Sequence, residues 1–327
     1  MDQPESPRVH DAQFLKKEGE PLPKYPIFLT GGAGATGQVI AERFALEGYP
    51  LIIGTRSLEK FEALSAHLKS LGGVEPRPFI ADITNSEEVS RAYNALDLGE
   101  GEPVHFFSLA AEGIKKLRMP FGRIMVLLLR GVKNGELTRD MVLAATEKMR
   151  DVVSTDEAMQ PGLAANFEGP RDLATMLVQR NHLHSGSRIV TLSSLISHDT
   201  NPDKMDEYTG PFFYIPIGVS KELGVRALRG IAIEQGIGML DVVAPGIQGT
   251  EVADFLESLV PILQALEPGV PFAISSVSKS DVANAMYAEL SKNDPTLPLQ
   301  RTVFVGENGN PTYTRPSSWG TSLVPYL

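Results

Sequence analysis

Between about residue 25 and residue 309, short apolar runs alternate with amphipathic helical stretches, and this alternation limits the fold more than any other feature. PIFLT (26–30), PLIIGTR (50–56), PFIADIT (78–84) and VHFFSLAA (104–111) read as buried strands. RIVTLSS (188–194), GMLDVVAPG (238–246) and RTVFVGENG (301–309) continue the series. The intervening segments 38–48, 58–73, 86–96 and 281–292 carry helical periodicity, and Ser86 with the acidic residues after it is expected to cap the third of them. Continuous apolar strands separated by helices are buried on both faces, so the pattern predicts about seven strands in one parallel sheet with helices on both sides.

The 327 residues suffice for one large α/β domain, and nothing marks a second. Residues 1–24 are polar and read as an arm, 25–309 as the domain, and 310–327 as a tail. Two regions are oversized. The stretch 114–162 is expected to form extra helices, either packed for core or subunit contact or serving as a substrate wall. The amphipathic segment within 251–275 is suited to a mobile lid. A net charge of −10 argues against nucleic acid or an anionic membrane as partner. There is no cysteine, which excludes disulfides and thiolate chemistry and fits a cytoplasmic setting. The N-terminus lacks the apolar core of a secretory signal, and the most apolar run, IMVLLL (124–129), is too short to span a bilayer.

LTGGAGATG (29–37) stands between the first strand and the first helix. Gly31, Gly34 and Gly37 permit a tight turn and a close backbone approach to a pyrophosphate, with Ala35 and Thr36 opening the helix whose N-terminus favours anions. The second strand ends Gly54-Thr55-Arg56-Ser57, with no acidic residue to take a ribose 2′-hydroxyl. Arg56 offers a forked, charge-assisted contact to a 2′-phosphate, Ser57 adds a hydroxyl, and Lys60 is a weaker candidate. This favours NADP(H) as cofactor. Asp82, at the end of the third strand, is placed to accept from an adenine amino group.

With these residues in place, the chain resembles the short-chain dehydrogenase/reductase family over roughly residues 25–309. The resemblance implies a single Rossmann-type, doubly wound α/β fold. TGGAGATG resembles the family's cofactor loop and ADIT (81–84) its adenine-side motif, which brings in Ile83. SLAAEG (108–113), with Ala110 and Ala111, lies where the family has Asn-Asn-Ala-Gly. GLAANFEG (162–169) resembles the helix bearing a structural asparagine, here Asn166, whose backbone holds a water in the family's proton relay. TLSS (191–194) resembles the strand end with the catalytic serine; Ser194 is the first match and Ser193 the second. APGIQGT (244–250) resembles the stretch after the sixth strand. There, Pro245 and Gly246 lead to Ile247, whose backbone would bind the nicotinamide carboxamide, and Thr250 would lie near the phosphates.

The departure is in FFYIPIGVSK (212–221). The family's usual Tyr-x-x-x-Lys places both side chains on one helix face. Here Lys221 is present, but the tyrosine position holds Ile217. Tyr214 stands seven residues before Lys221, nearly two helical turns, and Pro216 suits a first helical turn. Enoyl-acyl-carrier-protein reductases, a divergent branch of the family, use this Tyr-x6-Lys spacing, and Gly218-Val219-Ser220-Lys221 resembles their Gly-x-Ala-Lys; the likeness is local. Tyr214 is alternatively a ring packed with Phe212 and Phe213.

His198, Glu112 and Tyr208 are further candidates for a donor or acid. His182 and His184 read as exposed residues near a helix end, and no third metal ligand accompanies them. The expected function is an NADPH-dependent reductase of a small, apolar or polyketide-like substrate, with hydride transfer to a polarised C=C, or to C=O or C=N. A fold-sharing enzyme without net redox, such as a cyclase or isomerase, and a non-catalytic NADP(H) sensor remain open alternatives. The resemblance also implies a homodimer or homotetramer pairing through helices near 163–184 and 216–234.

Overall fold

Ile27, Phe28 and Leu29 are wholly buried, as a strand covered by helices on both faces must be. In the computed structural model, which describes residues 23–110, 118–153, 155–194, 215–250, 257, 260–262, 264–265, 276–292, 299–306 and 309–314, this segment is the strand β1, Ile27–Thr30. The chain continues through α1 (Ala35–Leu46), β2 (Leu51–Thr55), α2 (Leu58–Ser70), β3 (Arg77–Ile80) and α3 (Ser86–Ala95) to β4 (His105–Ser108). Then come α4 (Arg118–Asn134), α5 (Arg139–Val153) and α6 (Asp156–Leu163). A π-helical turn (Ala164–Glu168) leads into α7 (Gly169–Gln179). After β5 (Arg188–Ser194) follow α8 (Ile215–Glu234), β6 (Gly238–Ala244), α9 (Lys279–Leu290), β7 (Gln300–Val305) and β8 (Pro311–Thr312).

The sheet order is β3-β2-β1-β4-β5-β6-β7-β8. All pairings are parallel except β7 with β8. The chain winds outward from β1 to β3, then returns to the other side of β1 at β4. That reversal opens a crevice at the carboxyl ends of β1 and β4, where ligands of doubly wound sheets bind.

The core lies in two layers. On one face Phe44, Leu64 and Met286, from α1, α2 and α9, cover Leu29, Ile53 and Val242. On the other, Phe28 packs edge-on against Phe79 and Phe106 at 4.8 and 6.1 Å, under Leu173, Leu177 and Leu228 of α7 and α8. Among the described residues no helix is long and apolar enough to cross a membrane.

The structure differs from the sequence reading in a few places. The sheet has an eighth strand, because residues assigned to the tail fold back antiparallel on β7. Asn85, not Ser86, caps α3; its side-chain oxygen accepts from the N–H groups of Glu87 and Glu88 at 3.1 and 3.2 Å. His182 is 3% exposed, not a surface residue, because its Nδ1 bonds to the carbonyl of Glu102 at 2.7 Å. In the 114–162 region, α4 and α5 pack on each other and leave Val126, Leu127, Met141 and Leu143 exposed.

Candidate functional site

The turn after β1 is shaped by what it cannot accommodate. Gly31 has φ 69°, and a Cβ there would lie 2.9 Å from the nitrogen and Cα of Ala110. A Cβ on Gly37 would lie 2.2 Å from the carbonyl oxygen of Gly31, so the first turn of α1 rests directly on the loop. Thr30 fixes the opposite wall. Its buried hydroxyl donates to the carbonyl of Phe107 at 3.2 Å and accepts from the N–H groups of Leu109 and Ala110 at 3.2 and 3.4 Å. The N-terminus of α1 thus opens onto a cavity of about 650 Å³ at the switch point.

One end of the cavity is formed by Arg56, Ser57, Lys60, Asp82 and Ile83. Arg56 is about half exposed, with Nη1 3.5 Å from Asp82 Oδ2. The other carboxylate oxygen of Asp82 accepts from the N–H and hydroxyl of Thr84 at 3.0 and 2.8 Å. Partial burial would raise the Asp82 pKa, but the bonds from Thr84 and the nearby Arg56 outweigh it and hold the carboxyl below its ordinary value. Ser57 caps α2, accepting from the N–H of Lys60 at 3.2 Å, a bond that does not use its hydroxyl proton.

The other end is formed by Ala165, Leu192, Ser193, Ser194, Ile217 and Lys221, with Pro245, Gly246, Ile247 and Thr250 closing it. Ser193 donates its hydroxyl proton to the buried carboxylate of Asp241 at 2.8 Å. Ser194 is the last residue of β5 and lines the cavity. Ile217 is buried and also lines it, one turn before Lys221 on α8. Lys221 Nζ donates to the carbonyl of Leu192 at 3.3 Å. Desolvation lowers the pKa of its ammonium, opposed by the negative charge of Asp241. Thr250 donates to the carbonyl of Ile247 at 2.7 Å.

Asn166 stands behind the cavity wall. Its amide donates to Ser220 Oγ at 2.8 Å, while its neighbour Ala165 faces the cavity. A Cβ on Gly224 would fall 2.0 Å from the carbonyl oxygen of Asn166, so the π-helical turn and α8 meet backbone to backbone. Ala111, Glu112, His198, Tyr208 and Tyr214 lie outside the described residues, as does most of the 251–275 segment. The sequence reading missed Asp241; its only signal was one acidic residue inside the apolar strand GMLDVVAPG.

No protein-family model matches the chain. Among solved structures, it is similar to an alcohol dehydrogenase from Thermococcus sibiricus in complex with 5-hydroxy-NADP. The identity is 18%, the TM-score is 0.55, and the match covers 90% of this chain and 99% of that one. It is similar to a variant of actinorhodin polyketide ketoreductase with NADPH, at 19% identity and TM-score 0.56 over 88% and 97% of the two chains. A short-chain dehydrogenase from Bacillus anthracis matches at 14% identity and TM-score 0.55, over 88% and 96%. The chain has the fold of these dehydrogenases and reductases.

Two relatives agree in sequence with that fold. A 3-oxoacyl-acyl-carrier-protein reductase from Thermotoga maritima is 23% identical over 210 residues, 64% of this chain and 72% of the relative. A sulfoacetaldehyde reductase from Chromohalobacter salexigens is 36% identical over 73 residues, only 22% of this chain and 28% of the relative.

Proposed function

We propose that the chain is an NADP(H)-dependent reductase of a small substrate, acting on a polarised C=C, with C=O or C=N as the nearest alternatives. The observation that carries this reading is the single cavity running from Arg56 and Asp82, past the glycine loop, to Ser194 and Lys221. Its parts suit a dinucleotide phosphate. The Gly31 and Gly37 positions have no room for a side chain, the start of α1 offers N–H groups to a pyrophosphate, and Arg56 is exposed enough to turn to a 2′-phosphate. Asp82 and Ile83 would flank the adenine, Ala110 the ribose, Pro245, Gly246 and Ile247 the nicotinamide end, and Thr250 would lie near the phosphates. The bound cofactor supplies hydride.

The chain's own residues do the rest. Lys221 holds the ribose hydroxyls and adds positive potential beside the reacting oxygen. Ser194, not Ser193, holds the substrate oxygen, because Ser193 has committed its proton to Asp241. Tyr214 is the donor to that oxygen as negative charge builds on it, in place of the tyrosine that Ile217 displaces. Asn166 ties the π-helical turn to α8 through Ser220 and so sets the depth of Lys221. The enzyme works as a homodimer or homotetramer through α7 and α8; sedimentation as a monomer at micromolar concentration would remove that part.

The test is consumption of NADPH by the wild type and by Tyr214→Phe across paired panels of enones, ketones and imines. The expected result is turnover highest on an enone, lowered by about 10²–10³ in the variant. Equal turnover by the variant would sink the Tyr214 role.

The buried Ile217 in the cavity wall favours one second reading, a nucleotide-binding protein that performs no net redox, whether isomerase, cyclase or sensor. Product formation without a change in nicotinamide absorbance would select it.

A further inference from the structure

Asp241 lies within β6, where every residue is buried, and is itself 3% exposed. A carboxylate inside a sheet is costly unless it is hydrogen-bonded and electrically compensated. The register sets Asp241 directly beside Thr191 of β5. Both the Thr191 and Ser193 hydroxyls donate to its Oδ1, at 2.7 and 2.8 Å, which favours the ionised form. Between these two residues lies Leu192, whose carbonyl accepts from Lys221 Nζ. One three-residue stretch therefore anchors the carboxylate through its side chains and the ammonium through its backbone.

The surroundings are defined. Helix α8 packs across β5, β6 and β7. Its charged residues near this face are Lys221, Glu222, Arg226 and Arg229. Glu222 is paired with Arg226 Nε at 2.9 Å. Arg229 donates to Thr302, which neighbours Asp241 in the β6–β7 register, at 3.4 Å. From the strands, Thr191, Ser193 and Thr302 are neutral. Lys221 is the group whose ammonium Asp241 favours, against the desolvation that disfavours it; Asp241 also adds to the burial that raises the Glu222 pKa.

We propose that Asp241 is a positioning residue, an ionised carboxylate held by Thr191 and Ser193 that keeps Lys221 charged and seated at the base of the cavity. The use of that charge for a cofactor ribose rests on the reductase reading; the link between the two residues does not.

The test follows the side chain of Lys221 by NMR against pH, in the full chain with isotopically labelled lysine and with Lys221→Met to assign the signal. Asp241→Asn keeps the shape and removes the charge, and it is expected to lower the Lys221 midpoint by about 1 pH unit. Ser193→Ala, a second variant in case Asp241→Asn does not fold, loosens the carboxylate and is expected to lower the midpoint less, in the same direction. A reduced melting temperature with an unmoved midpoint in these variants would overturn the proposal and make Asp241 a structural strut. NADPH affinity measured over the same pH range separates the two ideas. A shifted midpoint in a protein that binds no NADPH upholds the link and removes the reductase reading.

Discussion

Ile217 and Lys221 stand one turn apart on α8 and line the same cavity, an apolar side chain where a proton donor is expected beside a lysine that keeps its place. Under the proposed reading, Lys221 is the cofactor-holding half of the motif and the donor has moved from position 217. Replacing Lys221 by Met preserves length and packing but removes the charge. It is expected to weaken NADPH binding at least about tenfold and to cut turnover by about 10². Fluorescence titration of NADPH and steady-state rates check this; unchanged affinity would place Lys221 outside the cofactor site.

The glycine loop yields a stability prediction. At Gly37 a methyl group would meet the Gly31 carbonyl at 2.2 Å and the Gly32 Cα at 2.8 Å, both backbone. Gly37→Ala is expected to cost about 2–4 kcal/mol and to abolish cofactor binding even where the variant still folds. Denaturant unfolding beside a binding titration reads both. A variant as stable as the wild type would mean that the loop packs less tightly on α1 than described.

His105 makes stability depend on acidity. Its ring is buried against Tyr25 and Tyr49, at 5.4 and 6.5 Å between centroids, and its Nδ1 accepts from the N–H of Arg188 at 3.1 Å. Burial, the main cause, holds its pKa down to about 3. In the unfolded chain a histidine titrates near 6.5, so between these values the unfolded state binds the extra proton. Stability is full above the unfolded value and falls as pH drops toward the folded one, by at most about 1.4 kcal/mol per pH unit from this group. Unfolding measured from roughly pH 7 to pH 4 is expected to show a slope that His105→Gln reduces by about one proton. An unchanged slope would contradict this.

Much of the molecule was legible because its signals are local. A continuous apolar run such as 26–30 can only be covered on both faces, and glycines between strand and helix mark a turn with no room for side chains. Boundaries were less legible. The run 78–84 reads as a strand throughout, yet pairing stops at Ile80, and Asp82 turns aside into bonds with Thr84. Asn85 outcompetes Ser86 as a cap because its longer side chain reaches two N–H groups. Asp241 could not be read at all, since nothing in a strand's sequence tells whether an acidic residue has neighbouring hydroxyls to receive it. Those hydroxyls come from β5, some fifty residues earlier in the chain.

The most direct measurement is binding of NADPH against NADH, by calorimetry or nicotinamide fluorescence, for the wild type and Arg56→Ala. It needs no knowledge of the substrate. The expected result is tighter binding of NADPH, with Arg56→Ala losing about tenfold or more in NADPH affinity while NADH is little affected, as fits a charge-assisted contact to the 2′-phosphate. Binding of neither nucleotide, or equal affinity for both that ignores Arg56, would contradict the account at its centre.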